Sequence, residues 1–183
     1  LKNEHKLLPL KAGSRIELFG KGSFDYVKGG GGSGDVTVSY VHNLYDGFQM
    51  LHDAVSLYEP LCDFYRANVN EQYDQGSVPG MTTETALSAG LLAGASAYTD
   101  TAVIVLSRFS GEGWDRSSIE YNGEYNPWET ETSMPKISGE IFPDGDFYLT
   151  KEESAMIAQV KQHFSRIAVV LNIGGLIETS WII

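Results

Sequence analysis

Two short runs, Ala102-Val103-Ile104-Val105-Leu106 and Ile167-Ala168-Val169-Val170-Leu171, are apolar without a break and partly β-branched. A strand with one wet face alternates apolar and polar side chains. Continuous runs are the pattern of strands covered on both faces, the usual condition of a parallel sheet. A third run, Arg15-Ile16-Glu17-Leu18-Phe19, reads as another strand. Helical signals lie between them. Thr150-Lys151-Glu152-Glu153 has the form of a capping box, and Ile157, Val160 and Phe164 follow at helical spacing before Ser165-Arg166 leads into a strand. Pro60 fits the first turn of a helix running through Phe64, and Thr82 or Thr83 is expected to cap a small-residue helix from Glu84 to about Ala97. Strand and helix therefore alternate, which predicts an α/β fold: a three-layer sandwich with a mostly parallel sheet. With 42% hydrophobic residues, 183 residues suffice for one sizeable core, and no internal repeat or linker divides the chain. Residues 1–183 are read as one domain.

Each strand run ends in residues that open the backbone: Phe19-Gly20, Leu106-Ser107 with Ser110-Gly111 shortly after, and Asn172-Ile173-Gly174-Gly175. Open α/β sheets bind ligands at the carboxyl ends of their strands, so these three loops are expected along one functional edge. The polar stretch 117–145, with Tyr121, Tyr125, Pro127, Trp128, Pro135 and Pro143, reads as an irregular insertion. Its aromatic residues either pin it down as a satellite cluster or line a site.

Several functions are disfavoured by composition. A net charge of -11 opposes phosphate backbones and anionic membrane surfaces, so neither nucleic acid nor membrane is an expected partner, although acidity mostly serves solubility. No run of about 18 apolar residues is present to span a bilayer. The single cysteine, Cys62, excludes an intrachain disulfide and reads as a buried thiol among Leu61, Phe64 and Tyr65. His5, His42, His52 and His163 lack metal-ligand spacing, and no metal is expected. Ser110 lies outside any Gly-x-Ser-x-Gly elbow. The run Gly29-Gly30-Gly31-Gly32-Ser33-Gly34 formally satisfies a dinucleotide fingerprint, but it follows its strand by about ten residues and leads into Asp35-Val36-Thr37-Val38-Ser39-Tyr40, which reads as extended. It is a flexible loop near a site or a plain surface loop. The chain starts at Leu1 and stops at Trp181-Ile182-Ile183, so truncation at both ends is expected. With no leader in view, the compartment stays unassigned, a cytoplasmic one being slightly favoured.

One loop carries chemistry: Phe109-Ser110-Gly111-Glu112-Gly113-Trp114-Asp115-Arg116. Glu112 follows a buried strand, and Gly111 and Gly113 remove side-chain bulk on both sides, so its carboxyl group can project as a general acid. Asp115 and Arg116 form a loop-anchoring ion pair or contact the ligand. Trp114 stacks on a sugar face or packs the loop. Glu120, Glu124, Glu129, Glu131 and Glu140 are rival carboxylates, but only Glu112 has the glycine-flanked setting at a strand end.

An apolar strand followed by Ser-Gly-Glu-Gly-Trp-Asp-Arg resembles the acid/base loop in the second domain of glycoside hydrolase family 3, the family of many β-glucosidases and β-xylosidases. The resemblance covers most of the chain. Leu1-Lys2-Asn3-Glu4 and Leu7-Leu8-Pro9-Leu10 resemble the entry into that domain, and 15–20 its first strand. Residues 146–150, 169–175, Glu178-Thr179 and Trp181 resemble its closing helix-strand segment. The resemblance implies a retaining β-glycosidase whose β/α barrel domain, absent from this chain, carries an aspartate nucleophile. Glu112 is then acid and afterwards base, the substrate a terminal β-linked glycoside, and no cofactor is needed. This chain alone is expected to be inactive. Against this stand a non-catalytic flavodoxin-like binding domain, motivated by the glycine run and the sheet pattern, and a subunit-contact scaffold, motivated by the apolar C-terminal end.

Overall fold

The computed structural model describes residues 2–3, 6–111 and 133–182. Among the described residues, four strands form one all-parallel sheet in the order β2-β1-β3-β4: β1 Ser14–Phe19, β2 Val55–Leu57, β3 Thr101–Arg108 and β4 Arg166–Ile173. The helices are α1 Leu44–Met50, α2 Glu59–Asp74, α3 Ala89–Tyr98, α4 Ser133–Ile141 and α5 Lys151–His163. The fold is α/β, as the uninterrupted apolar runs predict.

Pleating divides the strand side chains between two cores. Phe19, Ala102, Ile104 and Leu106 pack with Leu61, Cys62, Tyr65 and Val69 of α2, Leu92 and Ala95 of α3, and Met156, Ile157 and Val160 of α5. Ile16, Leu18, Val103 and Val105 face the other way, where Leu44, Tyr45 and Phe48 of α1 join Leu10 and Tyr26. The sheet is thus the middle of three layers. The covering is uneven. β3 is buried along its whole length, whereas β4, equally apolar, is half-buried because it is the outer strand of the described sheet.

The capping box is present at α5: Thr150 accepts from the Glu153 amide, and the Glu153 carboxylate accepts from the Thr150 amide. Pro60 lies in the first turn of α2. The expected start of α3 is displaced. Ser88, not Thr82 or Thr83, caps it by accepting from the Leu91 amide, because the two threonines are engaged elsewhere, Thr82 with Asp25 and Thr83 with Gln72. β2 and α1 have no counterpart among the expected elements, and α4 replaces part of the irregular stretch assigned to 117–145. Helix α4 ends where the Phe142 amide donates to the Ser138 carbonyl, setting Phe142 against Arg108.

Arg108, at the end of β3, is buried and uses all five N–H donors. Nη1 and Nη2 each reach Glu153 at 2.7 Å, Nη1 also donates to the Ser107 carbonyl at 2.9 Å, Nη2 to that of Tyr148 at 2.9 Å, and Nε to that of Asp146 at 3.0 Å. Its guanidinium lies 4.4 Å from the centre of the Phe142 ring. One side chain therefore joins β3, the start of α5 and the segment between α4 and α5.

A second buried charge site sits on β1. Glu17 is fully buried; its Oε1 accepts from the Leu18 amide at 2.9 Å, and its Oε2 has no partner. Burial pushes its pKa from 4.5 up to about 8, against the lowering by the Leu18 amide and with a further push from the Glu59 charge. Between those values the folded chain keeps a proton that the unfolded chain has lost, so stability falls as pH rises through that window. Glu17→Gln should flatten the fall by about 1.4 kcal/mol per pH unit where it is steepest. Urea denaturation from about pH 5 to about pH 8 measures it.

Candidate active site

The carboxyl ends of β1, β3 and β4 do gather their loops along one edge. After β3, the Ser110 carbonyl accepts from the Gly31 amide at 3.0 Å, and Gly31 and Gly111 form a parallel backbone bridge. The two chains touch with no side chain between them: a Cβ on Gly111 would lie 3.0 Å from the Gly31 Cα, and one on Gly30 would lie 3.0 Å from the Ser110 carbonyl oxygen. From the β4 end, a Cβ on Gly174 would lie 3.2 Å from the Ser110 Oγ. Asn172 clamps the chain that leads from β1 to the glycine run, accepting from the Val27 amide at 2.7 Å and donating to the Val27 carbonyl at 3.1 Å.

The glycine run is therefore a rail for the loop after β3. It closes on itself through Lys28, whose Nζ lies 2.7 Å from Asp35 and 2.6 Å from the Val36 carbonyl. The run ends in a single 3-10 turn at Gly32–Gly34, and the next helix, α1, starts only after its Asn43 cap. No helix N-terminus directly follows the run to receive a pyrophosphate. Gly111→Ala should separate the two backbones, and the Gly31 amide, protected by its bond to Ser110, should then exchange its hydrogen faster. Amide exchange read by mass spectrometry or NMR checks this.

Gly111 is the last described residue before Glu112. Glu112, Trp114, Asp115 and Arg116 lie outside the described residues, as do the rivals Glu120, Glu124, Glu129 and Glu131 and the aromatic residues Tyr121, Tyr125 and Trp128. Glu140 is exposed on α4.

Beneath the edge lies a buried polar group that sequence patterns did not reveal. Asp25 accepts from the Tyr73 hydroxyl at 2.6 Å, from the Thr82 hydroxyl at 2.6 Å and amide at 3.1 Å, and from the Gly80 amide. Lys21 Nζ lies 3.0 Å from it. Burial acts to raise the Asp25 pKa, but the Lys21 charge and these donors outweigh it and hold the carboxyl below its ordinary range. Glu84 accepts from the Lys21 amide at 2.9 Å and is pushed up to about 7, mainly by burial. Apart from Lys21, four residues before Asp25, the partners lie tens of residues away in the chain, so no local spacing betrays the group. Cys62 is buried as expected, and its thiol is pushed up, chiefly by burial. Among the described residues no three His, Cys, Asp or Glu side chains gather to hold a metal, and no helix is long and apolar enough to cross a membrane.

Residues 1–182 match the model of the glycosyl hydrolase family 3 C-terminal domain. A β-glucosidase A of Butyrivibrio fibrisolvens is 48% identical over 181 residues, 99% of this chain and 22% of that protein. A β-glucosidase of Ruminococcus albus is 28% identical over 182 residues, 96% of this chain and 16% of that protein. Among solved structures, β-glucosidase 3B from Thermotoga neapolitana in complex with α-D-glucose superposes with a TM-score of 0.75 at 29% identity, over 98% of this chain and 23% of the other. A β-glucosidase from Paenibacillus barengoltzii gives 0.74 at 27% identity, over 100% of this chain and 18% of the other. The chain thus spans less than a quarter of the length of each of these relatives.

Proposed function

The chain belongs to glycosyl hydrolase family 3, as its C-terminal domain, and on that footing we propose that it supplies the acid/base group of a retaining β-glucosidase-like enzyme that removes terminal nonreducing β-linked sugars. The observation that carries the proposal is the anchoring of Gly111. Residue 112 is the first beyond a backbone fixed on three sides by β3, the glycine run and the β4 end.

Residues 1–183 form one domain of the complete enzyme, and a β/α barrel domain contributes an aspartate about 5 Å from the Glu112 carboxyl group. In the first step the aspartate carboxylate attacks the anomeric carbon while Glu112, protonated, gives its proton to the departing glycosidic oxygen. The C–O bond breaks and a glycosyl ester forms. In the second step Glu112, now a carboxylate, takes a proton from water, whose oxygen displaces the aspartate and restores both groups. Trp114 contacts the sugar, and Asp115 and Arg116 support the loop. Glu112 is protonated in the first step and ionised in the second, a change that follows from the loss of the aspartate's negative charge as the ester forms. Family membership and the fixed stem of the loop support this assignment. The test is Glu112→Ala in the complete enzyme, assayed on glucosides graded by leaving-group acidity.

A further inference from the structure

The Lys21–Asp25 pair takes no part in that proton transfer. Lys21 is 4% and Asp25 1% exposed. A buried ion pair seldom adds net stability over an apolar replacement, so its value must be sought in what else it holds. Both groups hold Gly80. Asp25 accepts from the Gly80 amide, and Lys21 Nζ donates to the Gly80 carbonyl at 3.1 Å. Gly80 has φ +86°, and its bare Cα lies against the residue that opens the candidate loop: a Cβ there would sit 3.1 Å from the Phe109 Cβ and 3.2 Å from Val27 Cγ2. The Phe109 ring in turn lies along the glycine run, its Cζ 3.6 Å from where a Gly31 Cβ would stand. A chain of contacts thus joins the buried pair to Gly80, to Phe109 and to Ser110-Gly111.

We propose that Lys21 and Asp25 are positioning residues for the proton-donor loop: together they grip both backbone groups of Gly80, which seats Phe109 three residues ahead of Glu112. The inference rests on Glu112 being the acid/base. Neither Lys21 nor Asp25 touches the sugar in this scheme; they set where the carboxyl group stands. Misplacing a catalytic group by about 1 Å can cost up to roughly a hundredfold in rate, and the cost falls on the step that needs the proton.

Lys21→Met and Phe109→Ala, made in the complete enzyme, are compared with wild type and Glu112→Ala on aryl and alkyl β-glucosides of graded leaving-group acidity. Phe109→Ala leaves the buried pair intact, so it decides the matter if Lys21→Met does not fold. Both variants should lose roughly ten- to a hundredfold in kcat/KM on poor leaving groups and little on activated ones, a graded loss that general unfolding cannot mimic. An even loss across the series, or wild-type behaviour, in either variant overturns the positioning role while Glu112→Ala still shows its own graded loss. If Glu112→Ala shows no gradation, the acid/base assignment itself is what fails.

Discussion

Replacing Glu112 by alanine in the complete enzyme is expected to lower kcat/KM for alkyl glucosides by about 10²–10⁴-fold, the usual worth of a positioned proton donor. Glucosides with strongly acidic leaving groups should lose far less in the first step, because their departing oxygen needs no proton. The second step still lacks its base, so glycosyl-enzyme should accumulate and kcat should fall. Azide attacks that ester without deprotonation. It should restore turnover and yield a β-glucosyl azide, the anomer that two displacements require. Glu112→Gln should also abolish the basic limb of the pH profile of kcat/KM, which reports loss of the donor's proton. Ordinary turnover of alkyl glucosides by Glu112→Ala would end the assignment, and one of the rival carboxylates would have to take its place.

The second large effect is on stability. Arg108→Met leaves Glu153 buried with only its capping bonds and strands three carbonyls, those of Ser107, Asp146 and Tyr148. Breaking a buried pair by removing one partner costs about 3–5 kcal/mol, which a shift of the urea midpoint at constant slope would register. The double variant Arg108→Met/Glu153→Met should recover part of that loss, because it removes the stranded charge as well. A midpoint within about 0.5 kcal/mol of wild type would show that water or rearrangement replaces the network. Arg108→Lys should not rescue: an ammonium has three donors where the site engages five.

What was legible in the chain divides by range. β1, β3 and β4 announce themselves through apolar runs, and α2 and α5 through a proline and a capping box, because each signal lies within a few residues. β2 is three residues long and α1 seven, too short for a period to show, although the Asn43 and Asp46 pair at the start of α1 is itself a capping box. Thr82 and Thr83 misled because a threonine before a helix caps it only when nothing better is in reach, and here Asp25 engages Thr82 and Gln72 engages Thr83. The half-buried state of β4 depends on its place in the sheet, which composition does not carry. Flanking glycines single out Glu112 in the sequence alone, whereas Asp25, Glu84 and Arg108 find most of their partners across the fold. Two of the glycine-rich segments gained a meaning that neither had alone: the run at 29–34 and the turn at 110–111 need bare backbone because they touch each other.

The pairing of β1 with β3 also bears on how the chain reaches this state. Glu17 stands opposite Ala102, about 85 residues downstream. Until β3 has left the ribosome, β1 has, among the described strands, just the three residues of β2 to pair with, and Ile16, Leu18 and Phe19 await most of their neighbours. Sheets assembled from such distant segments close slowly, since a long loop must be ordered before any contact rewards it. While the segment between β1 and β3 is being made, the first strand is thus a nascent apolar segment in need of shelter, and chaperone engagement at that stage would suit its topology.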